Sequence, residues 1–199
     1  MQDLNILVTS GGVETALNVI KCLNRSIFNC RIVTSDMDVD SLGRHFSNSN
    51  YITSKATERN FIAEIIEIVR KEKIDFIFPC HSSEISIFCE ARDSLRIEGA
   101  GLILPDLSAE SICSNKKNFL DFLDANQFKT ATTFQSFDKI TDFPIFIRPK
   151  IGSSSNGAAL IECKAQITKE QINNQHNLII QQYISAEEVT IDAYRNNDK

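Results

Sequence analysis

The sequence predicts an α/β protein, a doubly wound parallel sheet followed by a smaller α+β region. Three observations predict it. Strand-like and helix-like patterns alternate over residues 5–104, a Ser-Gly-Gly turn follows the first strand, and short strand patterns dominate beyond residue 130. Alternation implies parallel neighbours, because a parallel pair needs a crossover that a helix usually supplies.

Asn5–Thr9 is apolar and β-branched, and Ser10, Gly11 and Gly12 end it as a turn. Ala16, Leu17, Ile20 and Leu23 then recur at helical spacing, predicting a helix over 14–23. Cys30–Thr34 is the second strand, ending at Asp36, and a polar connection runs on through Asn50. Phe61, Ile62, Ile65, Ile66 and Val69 form the strongest helical stripe, and residues 75–79 (DFIFP) read as a buried strand. A helix over 84–94, a short strand over 101–104, and helices over 109–113 and 116–126 follow. Residues 132–134, 145–148, 158–162, 178–182 and 189–194 are expected strands, with one modest helix at 169–174. The expected domains are 1–107 and 108–199, with a helical connection at the boundary. The last expected strand leads into Asn196, Asn197 and Asp198, a hairpin-turn composition, so the chain is expected to be a fragment truncated within a hairpin.

Composition narrows the function. Of 199 residues, 42% are hydrophobic and 24% charged, with 7 Gly and 4 Pro, which is globular and excludes collagen-like, coiled-coil and disordered chains. Lys and Arg total 21 against 26 Asp and Glu, a net charge of −5. A nucleic-acid partner is therefore not expected, since phosphate neutralisation needs a basic surface. The apolar runs fall far short of the roughly 20 residues that span a bilayer, and the N-terminus lacks a secretory pattern. No membrane partner and a cytoplasmic location are expected. Six cysteines (Cys22, Cys30, Cys80, Cys89, Cys113, Cys163) lie far apart, and so do the three histidines, without the spacing of a zinc site.

Two segments could carry chemistry. Residues 10–13 (SGGV) resemble the start of a dinucleotide-binding turn, and Asp36 sits where a ribose-binding acid would be expected. The full glycine fingerprint is missing, Glu14 would repel phosphate, and a tight structural turn is the favoured explanation of the glycines. The richer segment is 143–157 (FPIFIRPKIGSSSNG). A buried strand there delivers Arg148 and Lys150, and the small residues Gly152, Ser153, Ser154, Ser155, Asn156 and Gly157 follow. Cations beside free backbone N–H groups and hydroxyls suit a polyphosphate. It is not a Walker loop, because no Lys follows the second glycine and a strand, not a helix, comes next. A flexible hairpin tip is the alternative, less favoured than a phosphate site.

Strand, Arg-Pro-Lys, small-residue loop, strand, and then residues 179–192 (IIQQYISAEEVTID) together resemble the ATP-binding half of the ATP-grasp superfamily. Residues 1–107 are similar to its Rossmann-like pre-ATP-grasp domain, and arginine before Pro149 is similar to the carbamoyl-phosphate synthetase large subunit. The resemblance implies an ATP-dependent carboxylate ligase that forms an acyl phosphate for attack by an amine or similar nucleophile. It implies that Lys116 and Arg148 contact the ATP phosphates and that the 152–157 loop closes over them. Backbone groups of Tyr183 and Ile184, after Gln182, would pair with adenine, and Glu188 would hold the ribose. Small-molecule carboxylate and nucleophile substrates are the implied partners, with homodimer formation left open.

The sequence departs from the family at three positions: Gln182 for the usual Glu, Ala186 for a glycine, and Ser154 for a glycine of the lid. The family's Mg2+ ligands are expected beyond Lys199, so this chain alone is expected to be inactive and to bind ATP weakly. The alternatives are a non-catalytic nucleotide-binding or sensor module and a Rossmann NAD(P)-dependent enzyme. A cysteine hydrolase using Cys80 and His81 is disfavoured, since adjacent strand residues face opposite ways.

Overall fold

A computed structural model of the chain describes residues 3–152, 155–191 and 193. The chain divides into two compact units, Met1–Ser114 and Asn115–Lys199.

The first unit contains β1 (Asp3–Thr9), α1 (Glu14–Asn24), β2 (Asn29–Asp36), β3 (Ser49–Ile52), α2 (Phe61–Glu72) and β4 (Phe76–Phe78). It continues with α3 (Ser82–Glu90), α4 (Arg92–Ile97), β5 (Gly101–Leu102) and α5 (Leu107–Cys113). The five strands are parallel in the order β3-β2-β1-β4-β5. Successive side chains of a strand face opposite ways, so β1 serves two cores. Ile6 and Val8 pack with Ile32 against Ala16 and Ile20 of α1, while Leu7 and Val33 pack with Phe61, Ile65 and Val69 of α2 and Phe88 of α3. Phe61 and Phe88 meet edge to face at 5.6 Å between ring centroids, a preferred aromatic arrangement. This is the doubly wound sheet that the alternating pattern predicts.

The second unit contains α6 (Lys116–Ala125), β6 (Thr133–Phe134), β7 (Ile145–Pro149), β8 (Ala159–Ile161), α7 (Lys169–Asn173) and β9 (Leu178–Gln182). Its sheet is antiparallel in the order β6-β9-β7-β8. One face carries Ile145, Ile147, Ile161 and Ile180, which form a core with Phe137. The register puts Thr133, Gln181, Arg148 and Ile179 on the other face.

The structure differs from the sequence reading in several places. The polar connection before Asn50 contains a 3-10 turn at Leu42–His45 and the edge strand β3. The helix expected over 84–94 begins at Ser82 and is divided at Ala91 into α3 and α4. Helix α5, assigned by the sequence to the second region, groups with the first unit. Of the strand expected over 189–194, Val189, Thr190 and Ile191 form no strand, and Asp192 and Tyr194 lie outside the described residues.

Gly43 shows why the connection after β2 is built as it is. A Cβ there would lie 2.4 Å from the Gly11 carbonyl oxygen, so the two backbones touch at the glycine turn.

Candidate nucleotide-binding site

The second unit gathers cations at the end of β7. Arg148 occupies the last turn of strand before Pro149 and donates from Nη2 to Gln181 Oε1 at 3.1 Å. Its Nε is buried and has no hydrogen-bond partner among the described residues. The Lys150 backbone N–H donates to the Asn177 carbonyl at 2.9 Å, and its ammonium donates to the His176 carbonyl. Helix α6 begins at the same place, with the Lys116 N–H donating to the Lys150 carbonyl at 2.9 Å. The Asn115 side chain caps this helix by accepting from the Lys117 N–H. A cation at a helix N-terminus is opposed by the dipole, and the Lys116 ammonium turns to the Gly152 carbonyl, 2.7 Å away. Lys116, Lys150 and Gly152 are thus joined in one short network.

The small-residue loop follows. Ser153 and Ser154 lie outside the described residues. The Ala158 N–H donates to the Ser155 carbonyl at 3.0 Å, closing a turn through Asn156 and Gly157. Gly157 has φ +74, and a Cβ there would lie 2.9 Å from Pro149 Cγ. The proline of the Arg-Pro-Lys sequence is therefore the surface against which the turn rests.

On the hinge, strand alternation separates two glutamines. Gln182 pairs with Ile145 in register and is exposed, whereas Gln181 is 6% exposed and reaches Arg148. The Tyr183 N–H donates to the Pro144 carbonyl at 3.3 Å, so that donor is used within the protein. Ile184 and Glu188 are exposed beyond the end of β9. Sequence reasoning singled out Gln182 and missed Gln181. The register with β7, which only the folded sheet defines, is the signal that separates them.

The first unit has a cleft of about 370 Å³ at the C-terminal ends of its strands, lined by Ser10, Asp36, Thr53, Lys55, His81 and Glu84 among others. Strand order reverses between β1 and β4, where open parallel sheets form ligand crevices. Glu84 is 5% exposed and accepts from Thr9 Oγ1 at 2.7 Å and Ser10 Oγ at 2.8 Å. Burial raises its carboxyl above the ordinary range, opposed by those two hydroxyl bonds. Sequence reasoning placed Glu84 in the first turn of a helix, and spacing could not reveal that the fold buries it. The helix cap is His81, whose Nδ1 accepts from the Ser83 N–H at 3.2 Å.

Two other first-unit candidates have structural employment. Asp36 Oδ2 accepts from the Gly12 N–H at 2.7 Å and Oδ1 from the Asp38 N–H at 2.9 Å, so one oxygen tethers the glycine turn to the end of β2 and the other closes a local turn. Burial, aided by the Glu84 charge, pushes the Cys80 thiol up to about 12, which leaves little thiolate at neutral pH. Among the described residues no three His, Cys, Asp or Glu side chains are grouped as metal ligands. No helix of the described residues is long and apolar enough to cross a membrane.

Residues 6–103 match the family described as PylC-like, N-terminal domain. The chain is 21% identical over 202 residues to the carbamoyl phosphate synthase arginine-specific large chain of Bacillus subtilis (strain 168), covering 94% of this chain. Solved N5-carboxyaminoimidazole synthetase from Staphylococcus aureus, complexed with ADP, superposes with TM-score 0.68 at 13% identity over 92% of the chain. Biotin carboxylase from Campylobacter jejuni gives TM-score 0.68 at 17% identity over 91%.

The chain has the ATP-grasp fold.

Within that fold, the PylC-like match lies inside the parallel-sheet unit, and the loop after Arg148 belongs to the antiparallel unit. The chain spans 19% of the curated relative and 48% and 45% of the two solved proteins.

Proposed function

We propose that the second unit binds the phosphates of ATP and that the chain is the nucleotide-binding portion of an ATP-dependent carboxylate ligase. The observation that carries this reading is Arg148. Among the described residues its Nε is buried without a partner and it forms no ion pair, and a loop of small residues begins four positions later. A guanidinium has five donors in a fixed fork, and unspent donors in a sheltered place suit a phosphate oxygen. Lys116 and Lys150 add positive charge, and each currently donates to a backbone carbonyl that an anion could replace.

Bound ATP would supply the phosphoryl group that activates a small carboxylate for attack by an amine or similar nucleophile. The chain's part is to hold the phosphates and neutralise their charge, the main protein contribution in phosphoryl transfer. Arg148 and Lys116 would bind phosphate oxygens, and backbone N–H groups of the loop would orient them. No magnesium site is assigned to the described residues. The first-unit cleft, with the polar side chains of Ser10, Thr53, Lys55, His81 and Glu84, is proposed to receive a small polar substrate.

Calorimetric titration of Mg-ATP into wild type and Arg148→Ala tests the reading. Loss of one charge-assisted phosphate contact is expected to weaken binding by about tenfold or more. Equal affinities would remove Arg148 from the site, and absence of binding by wild type would remove the site itself.

A further inference from the structure

We infer that the antiparallel unit carries a second small-molecule site, a pocket lined by Phe137, Asp138, Lys164, Ile167, Ile172 and Gln175, whose ligand is a free α-amino acid with an apolar side chain. Phe137 and Ile167 belong to the core on the Ile147 and Ile180 face of the sheet, whereas Arg148 lies on the opposite face. The inference is therefore independent of the phosphate-binding reading.

The pocket has a volume of about 230 Å³. Sites for drug-sized ligands run from roughly 300 to 1,000 Å³, so its occupant is smaller than those. Three segments supply the apolar part: Phe137 from the 3-10 turn Phe137–Lys139, Ile167 from the approach to α7, and Ile172 from α7 itself. Phe137 is 7% exposed, but Ile172 is 45% exposed, and a ligand that covers it gains apolar burial.

The polar groups are complementary in sign and are not spent on one another. Gln175 Oε1 accepts from the Phe137 N–H at 3.1 Å, which fixes the amide and leaves its NH2 as a donor. Lys164 adds a cation and Asp138 an anion. Among the described residues neither side chain is in an ion pair. The Ser136 hydroxyl and then its own backbone N–H hold the Asp138 carboxyl below the ordinary range, with Lys139 and Lys164 adding, so it is ionised at neutral pH.

An α-amino acid answers each of these groups. Its carboxylate suits Lys164 and the Gln175 NH2, its ammonium suits Asp138, and its side chain suits Phe137, Ile167 and Ile172. An uncharged apolar ligand would cover two charges without pairing them, and a ligand of one sign would leave its like charge facing it; both are costly.

The test is titration of the 15N-labelled chain, followed by amide chemical shifts, with leucine, isoleucine and phenylalanine at millimolar concentration. At least one is expected to shift the amides of Phe137, Lys164, Ile167, Ile172 and Gln175 and to leave that of Arg148 in place. Against the tightest of the three, glycine is expected to bind at least about tenfold more weakly, for want of a side chain to bury. Leucinamide, without the carboxylate, and 4-methylpentanoate, without the ammonium, are each expected to bind about tenfold more weakly than leucine. Lys164→Ala and Asp138→Asn, both at exposed positions, are expected to weaken the amino acid to a similar degree. No response at these amides to any of the three amino acids would overturn the inference. So would 4-methylpentanoate or leucinamide binding as well as leucine, or both variants binding as wild type does. The ligand analogues decide the matter on the wild-type chain even if a variant fails to fold.

Discussion

Glu84 is the clearest case of a single side chain whose surroundings decide its behaviour. Burial holds its proton to higher pH than in the unfolded chain, against the opposing pull of Thr9 and Ser10. The folded protein therefore binds more protons than the unfolded one just above the ordinary glutamate range, and this acid's contribution to stability falls as pH rises there. Glu84→Gln keeps the shape and removes the ionisation. Urea midpoints of the variant and wild type are expected to be close at about pH 4 and to separate in the variant's favour towards about pH 7. A constant difference across that range would show that Glu84 ionises as a solvated acid. Residues of this kind were only partly legible. The types and positions of Arg148, Lys116 and the glycines stand in the sequence, but a burial or a register does not, which is why Gln182 was singled out and Gln181 was not.

At the scale of elements, the glycine turn and the 3-10 turn at Leu42–His45 support one another through a backbone contact. Gly43→Ala would drive a Cβ to 2.4 Å from the Gly11 carbonyl oxygen, so one segment must move. A loss of about 1–3 kcal/mol is expected for such overpacking, measured by urea unfolding; an unchanged midpoint would mean the contact is loose. Strong patterns were legible here: β1, β2, α2 and β9 bury continuous or helically spaced apolar residues, and the expected and observed segments coincide within a few positions. Strand β3 was not, because its stability is not written in apolar alternation. Ser49–Ile52 is an edge strand whose polar residues are tied sideways, Ser49 by Arg31 and Asn50 by Thr34. Val189–Ile191 show the converse. Their β-branched composition favours a strand, yet no described strand pairs with them, and propensity without a neighbouring edge does not make a sheet.

For the whole molecule, the separate cores of the two units have a consequence for folding. The parallel-sheet unit buries its own clusters around Leu7 and Ile6, and the antiparallel unit has its own around Ile147. A chain ending at Ser114 is therefore expected to unfold in one cooperative transition, followed by circular dichroism against urea. A broad, non-cooperative loss of signal would show that the first unit depends on the second. The alternation of strands and helices made the first architecture readable at this scale, while the change to an antiparallel sheet was visible as a change in strand density.

The two sheets end in β3, β5, β6 and β8, which are 4, 2, 2 and 3 residues long. An outermost strand with so few free amides and carbonyls is a poor template for another chain. Concentrated solutions should accordingly resist the lateral, fibre-forming association to which long bare β margins are prone.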